Sequence, residues 1–189
     1  EPLKELGGQT PLEYAYTPEL DALAKKSEIG LSRTIPEGMK PGSDTANLAV
    51  LGYNPRDHYT GRSPLEALSI GVPMKDTDIA LRTNLVTLTE EEVPFGEQTI
   101  LDHSSGEIST ADAAVLLEAV KRELQNETYQ FYVGTSYRHL LIWDRGQVLD
   151  LAQPHDHLGQ KIGPYLPEEE TLRRMMVRSY EILKNHPLN

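Results

Sequence analysis

The stretch Pro41-Gly-Ser-Asp-Thr-Ala-Asn-Leu48 holds the residues of this chain best suited to chemistry. Prolines and glycines at positions 36, 38, 41 and 42 lead into Ser43, at a predicted helix start. A helix start presents backbone N–H groups and a partial positive charge. A serine hydroxyl placed there can take up a phosphoryl group and have the new negative charge stabilised. Ser-Asp at a helix start is equally an ordinary N-cap, so nucleophile and cap both stand as readings of Ser43. Asn47, one turn on, returns to the serine's face and can offer its amide to a phosphoryl oxygen.

Arginines form the second set. Arg82 falls in the middle of a predicted strand over 78–88 (Asp-Ile-Ala-Leu-Arg-Thr-Asn-Leu-Val-Thr-Leu) and shares a face with Asn84. A solvated strand face or a bound anion would each explain it. Arg138 and His139 lie on opposite faces of another predicted strand, and Arg138 alternates there with Leu140 and Ile142. A guanidinium on a largely apolar face requires an anion. That anion is either an internal carboxylate or a ligand. The third set is Pro154-His155-Asp156-His157, which reads as a loop contacting substrate, a hard or borderline metal site, or a solvated segment. His58 and His103 sit in polar loops and receive no role. No P-loop, no Gly-x-Gly-x-x-Gly after a strand and no complete hydrolytic triad is present.

Elements that would position these residues follow from periodicity and punctuation. Thr17-Pro18-Glu19 opens a helix with Leu20, Leu23 and Ala24 on one side. A short strand is expected over 29–35, then a helix from Ser43 or Asp44 to about Leu51, stopped by Gly52. Another short helix is expected through 65–69. Residues 109–125 carry an apolar stripe of Ala113, Leu116, Leu117, Val120 and Leu124 behind a Ser109 cap. Residues 129–133 and 137–143 read as a hairpin, and a third strand is expected near 148–151. A closing helix is predicted from about Pro167 to Asn185.

The 189 residues are 38% hydrophobic and 25% charged, the composition of a globular protein, with a formal net charge of −11. That charge argues against nucleic-acid binding, which needs clustered Lys and Arg. It leaves room for a small anion held where a few arginines converge. With no cysteine in the chain, disulfides, thiolate metal sites and cysteine nucleophiles are excluded. No apolar run is long enough to span a membrane.

Several motifs, in order along nearly the whole chain, resemble the archaeal-type, cofactor-independent phosphoglycerate mutases of the alkaline phosphatase superfamily. They are Glu1-Pro-Leu-Lys-Glu-Leu-Gly-Gly-Gln-Thr-Pro-Leu-Glu-Tyr-Ala, Pro41-Gly-Ser-Asp-Thr-Ala-Asn-Leu, Leu51-Gly-Tyr-Asn-Pro and Tyr59-Thr-Gly-Arg-Ser-Pro-Leu-Glu-Ala. Leu81-Arg-Thr-Asn, Tyr137-Arg-His-Leu, Pro154-His-Asp and His186-Pro-Leu-Asn continue the series. The resemblance implies an α/β (α+β) fold. It would comprise part of an alkaline-phosphatase-like core over 1–75, an inserted substrate-binding lid with a mainly antiparallel sheet over 76–160, and a return to the core over 161–189.

It also implies a cytoplasmic isomerase of glycolysis and gluconeogenesis that interconverts 3-phosphoglycerate and 2-phosphoglycerate through a phosphoserine. Ser43 matches the phosphoryl-accepting serine, and Asn47, Arg82, Arg138, His139, His155 and Asp156 match substrate-holding positions. Two divalent ions (Mn, Mg or Zn) are implied, bridged by Ser43. Their other ligands are expected before residue 1 and after residue 189, as are the remaining core segments of the same polypeptide. The chain thus resembles an internal fragment, expected to bind no metal tightly and to be inactive alone. His103 and Glu107 depart from the family in a loop where an arginine is expected. A phosphohydrolase or phosphotransferase of the same superfamily, and a non-catalytic anion-binding module, are the competing readings.

Overall fold

Closely spaced prolines and glycines break the first third of the chain into short helices. In the computed structural model, which describes residues 1–188, α1 (Pro11–Tyr14) opens with a capping box. The Thr10 hydroxyl oxygen accepts from the Glu13 amide at 3.2 Å, and the Glu13 carboxylate accepts from the Thr10 amide at 2.8 Å. α2 (Pro18–Ala24) begins on proline, as its sequence predicts. α3 (Ser43–Val50) follows the Gly/Pro-rich approach, and α4 (Pro55–His58) is capped by Asn54, whose side chain accepts from the Arg56 amide. The strand expected over 29–35 does not form. Gly30 and Pro36 bracket that segment, and it pairs with nothing among the described residues. An unpaired strand leaves its amides and carbonyls without ladder partners.

Residues Glu1–Tyr59 make one compact unit, and the chain from Thr60 onward makes a second. In the first, Thr45 and Pro55 alone are buried, while Leu12, Tyr16, Leu20, Leu23, Ile29 and Leu31 are exposed. The hydrophobic core belongs to the second unit. It contains α5 (Arg62–Ser69), β1 (Ile79–Asn84), β2 (Thr87–Leu88), β3 (Ile100–Asp102), α6 (Thr110–Leu124), β4 (Tyr129–Thr135), β5 (Arg138–Trp143) and α7 (Glu170–Lys184).

Strands β1, β5 and β4 form an antiparallel sheet in that order, and β2 pairs with β3 separately. Side chains alternate across the sheet, so each face has its own apolar set. On one face Ala80, Leu140 and Ile142 pack with Ala67 of α5 and with Val72. On the other, Phe131 and Leu141 pack with Leu117 and Val120 of α6 and Leu172 of α7. α6 is capped by Ser109, which accepts from the Asp112 amide at 3.1 Å, as predicted. α7 starts at Glu170 rather than near Pro167, because the Glu169 carboxylate accepts from the Leu172 amide at 2.6 Å and sets the first turn. No strand forms over 148–151; Val148 is exposed there. The predicted 78–88 strand divides into β1 and β2. The architecture is α+β with small antiparallel sheets. The sequence boundary expected at 75/76 falls in the loop between α5 and β1.

Candidate functional site

Along the α5-facing side of the sheet, β1 reads Ala80, Arg82, Asn84 and its partner β5 reads Ile142, Leu140, Arg138 in register. The first positions are core. The last ones carry the face past the apolar cluster into a cavity of about 500 Å³. Into it α5 brings Arg62, at its first residue, and Glu66 one turn later. The β4–β5 turn and the loop after β3 bring Tyr137 and His103, and a 3₁₀ turn over Pro154–His157 brings His155.

Electrostatics at this cavity favour an anion. Three guanidiniums line it against one carboxylate, Glu66, whose Oε1 lies 3.5 Å from Arg82 Nη1. Arg82 Nε and Asn84 Oδ1 are buried and have no hydrogen-bond partner. Buried polar atoms are ordinarily satisfied, so these two mark a place where a polar ligand or water belongs. The Arg138 guanidinium sits 5.5 Å from the centre of the Tyr137 ring, a cation–π contact that steadies the charged group.

Asp102 organises the loop that holds His103. Its Oδ1 accepts from the Ser104 amide and hydroxyl, each at 2.9 Å, and its Oδ2 accepts from the Gly106 amide at 2.6 Å. These donors, the Ser104 amide first, hold the Asp102 carboxyl below its ordinary range. They also tie down a turn in which Ser105, Gly106 and Glu107 all have positive φ (49°, 66° and 55°). The His103 ring meets Tyr137 edge-on at 5.8 Å and lies 6.2 Å from the His155 ring at a steep angle of 62°. The turn bearing His155 is anchored to β3, since the Gly159 amide donates to the Ile100 carbonyl at 2.8 Å and the Ile100 amide to the Gln160 carbonyl at 3.1 Å.

The structure therefore brings together Arg82, Arg138 and His155 of the residues singled out in the sequence. Asp156 lies beside His155, its Oδ1 3.6 Å from Nε2, and does not line the cavity. His139 is on the opposite face of β5 and 2% exposed; its Nδ1 accepts from the Gly134 amide at 3.1 Å. Ser43 and Asn47 are in α3 of the first unit. Ser43 is not the cap of that helix. The cap position is Gly42, which has no side chain to contribute, and Ser43 is the first helical residue. Asp44 takes up local donors instead: its Oδ1 accepts from the Thr45 amide at 3.0 Å and its Oδ2 from the Tyr59 hydroxyl at 2.5 Å. A Cβ on residue 42 would stand 2.4 Å from Asp44 Oδ1, so a larger residue there would push the Asp44 carboxylate away from the Thr45 amide. Arg62, Asn84, His103 and Tyr137 line the cavity without having been proposed as ligands. Asn84 was signalled by sharing Arg82's face. No local pattern marks His103, because its position depends on the Asp102 turn.

Burial alone pushes the His139 imidazole down to about 4, from 6.5 in the open chain. The folded state thus holds it neutral while the unfolded chain takes up a proton. The stabilisation is fully present above pH 6.5 and is lost as pH falls from there toward 4, at most about 3 kcal/mol in all. Urea unfolding at pH 7 and pH 4.5 should show this loss, and the His139→Asn variant should lose less; an equal loss in both would refute the assignment.

Among the described residues, no three His, Cys, Asp or Glu side chains converge as a metal site would require. The donors among the described residues therefore do not form a set that fits a pair of divalent ions. No helix among them is long and apolar enough to cross a membrane.

Comparison with known proteins decides the family. The family model for 2,3-bisphosphoglycerate-independent phosphoglycerate mutase matches residues 24–189. The chain belongs to that family. A protein of Geobacter sulfurreducens named "Probable 2,3-bisphosphoglycerate-independent phosphoglycerate mutase" is 48% identical over 191 residues, covering 99% of this chain and 47% of its own length. The phosphoglycerate mutase of Methanosarcina barkeri is 42% identical, covering 100% of this chain and 47% of its own length. The chain spans about half the length of these curated relatives. A solved structure titled as that of the PH0037 protein from Pyrococcus horikoshii is 26% identical, with a TM-score of 0.65, over 100% of this chain and 42% of the other. The α+β fold is thus shared with an experimentally determined structure, and the cavity arginines belong to a phosphoglycerate mutase family chain.

Proposed function

We propose that this chain supplies the phosphoryl-accepting serine and the anion-holding cavity of a phosphoglycerate mutase that interconverts 3-phosphoglycerate and 2-phosphoglycerate. The observation that carries this reading is the cavity itself, with Arg62, Arg82 and Arg138 around unpartnered polar atoms of Arg82 and Asn84. A phosphoglycerate presents two anionic groups, a phosphate and a carboxylate. Planar guanidiniums hold both through paired hydrogen bonds. His155 and His103 add ring nitrogens to the cavity lining, and Asp156 lies 3.6 Å from His155 Nε2. Family membership and the position of Ser43 at the first residue of α3 support its role. Its Oγ takes the phosphoryl group as the substrate's own P–O bond breaks and that oxygen leaves as a hydroxyl, Asn47 faces the same side one turn on, and the freed glycerate turns. The phosphoryl group then returns to the other hydroxyl. The helix N-terminus stabilises the phosphoserine dianion.

The resemblance implies two divalent ions that supply charge neutralisation at the transferring group. The donors among the described residues do not fit them. The reading is tested by assaying the 189-residue chain and a relative of full family length with 3-phosphoglycerate and with a simple phosphate monoester. The chain alone should turn over at less than about a thousandth of the relative's rate, a barrier difference above about 4 kcal/mol. The relative should prefer 3-phosphoglycerate and release no inorganic phosphate. Comparable turnover by the isolated chain, or hydrolysis as the main reaction, would overturn the assignment.

A further inference from the structure

His139 does not line the cavity, yet it is next in sequence to Arg138, which does. β4 and β5 pair regularly from Tyr129↔Trp143 to Tyr132↔Leu140, then the register shifts and Thr135 faces Arg138. Two residues of β4, Val133 and Gly134, oppose the single residue His139, which is a β-bulge. The bulge is closed by the Gly134 amide donating to His139 Nδ1 at 3.1 Å. Strand geometry gives this one bond leverage: slipping the pairing by one residue would move every later side chain to the other face. β5 is the central strand and stays in unbroken register with β1, Asn84 facing Arg138, so the side chains that flip would be those of β4 beyond the bulge, and the turn that carries Tyr137 into Arg138 would have to be rebuilt.

We infer that His139 is a positioning residue for the anion site, acting through the β4–β5 bulge to aim Arg138 and Tyr137 into the cavity. Its neutral imidazole accepts through Nδ1 and carries its proton on Nε2. At Gly134 the two strands come so close that a Cβ would lie 2.2 Å from the Arg138 carbonyl oxygen. Glycine and histidine therefore act together, one allowing the approach and the other fixing it. The rest of the turn is held from the far side. The Ser136 amide donates to Thr110 Oγ1 at 2.9 Å, and the Ser136 hydroxyl to the Ile108 carbonyl at 2.7 Å. The Leu85 amide donates to the Tyr137 carbonyl at 2.9 Å. Arg138 is also held by its register with Asn84 of β1, so what the bulge governs is the path of the turn from Thr135 through Tyr137 that leads into it. The inference deepens the proposed anion-binding reading and rests on it.

The test compares His139→Leu, which keeps the burial but removes the acceptor, with His139→Asn, whose Oδ1 can take the place of Nδ1, and with Gly134→Ala. Two readouts are made on the 189-residue chain: the dissociation constant for inorganic phosphate, and the amide ¹H–¹⁵N shifts of Tyr137 and Arg138. His139→Leu and Gly134→Ala should weaken phosphate binding at least tenfold and shift both amides, while β1 amides stay in place. His139→Asn should recover most of the affinity and the original shifts. Unchanged shifts and affinity in His139→Leu, or His139→Asn behaving like His139→Leu, would overturn the inference. Should His139→Leu fail to fold, Gly134→Ala decides by the same criteria. If the unaltered chain binds no phosphate, the anion reading itself fails, and the amide shifts still judge the link from His139 to Arg138.

Discussion

Replacing Ser43 with alanine, in a polypeptide that joins this chain to the remaining length of its relatives, should reduce mutase turnover by at least a thousandfold. On the proposed mechanism the variant loses its covalent nucleophile and with it the two-step route through a phosphoenzyme, and each factor of ten corresponds to about 1.4 kcal/mol of barrier. The same variant should take no label when incubated with substrate carrying a radioactive phosphoryl group. Its fold should be intact. Ser43 does not cap α3, Gly42 occupies the cap position, and the neighbouring Thr45 amide donates to Asp44. A Ser43→Ala protein with turnover near that of the unaltered one would show that another group receives the phosphoryl, or that transfer is direct.

Substitution of the cavity arginines should act on binding rather than on folding. Arg138→Ala removes an exposed guanidinium whose recorded contact is the Tyr137 ring. Charge-assisted hydrogen bonds to an anion are worth roughly 1.5–3 kcal/mol, so affinity for 3-phosphoglycerate should fall about 10- to 100-fold with little change in melting temperature. Arg82→Ala should cost as much in affinity and something in stability as well, because it leaves Glu66 in the partly buried cavity wall without its 3.5 Å partner. Arg82→Lys should not restore binding, since an ammonium cannot reproduce the two-pronged donor geometry. Loss of affinity in proportion to loss of fold, the same for both arginines, would point to a scaffold role instead.

Much of this was legible in the sequence, and the reasons differ by element. α6 was readable because its stripe of Ala113, Leu116, Leu117 and Val120 is the buried side and Ser109 is the cap. The β4–β5 hairpin and the 82/84 face of β1 were readable because period-two alternation is local. From that alternation Arg138 and His139 were placed on opposite faces, and the structure agrees. The cavity as an assembly was only half legible. Arg82 and Arg138 announce themselves as charges on a face with apolar neighbours. Arg62 and His103 reach it through the docking of α5 and the Asp102 turn, which are long-range and conformational facts. The segments at 29–35 and 148–151 have strand-like composition but find no partner, and pairing decides a strand. At Ser43 the N-cap rule pointed one residue late, because a glycine with an extended backbone fills that position.

The most direct check is a calorimetric titration of the 189-residue chain with 3-phosphoglycerate, run beside the Arg82→Ala/Arg138→Ala double variant at pH 7 and low ionic strength. Saturable binding by the unaltered chain, lost in a double variant that still melts cooperatively, is the expected result. No binding at millimolar 3-phosphoglycerate, or equal binding by both proteins, would contradict the assignment of this cavity as the anion-holding site.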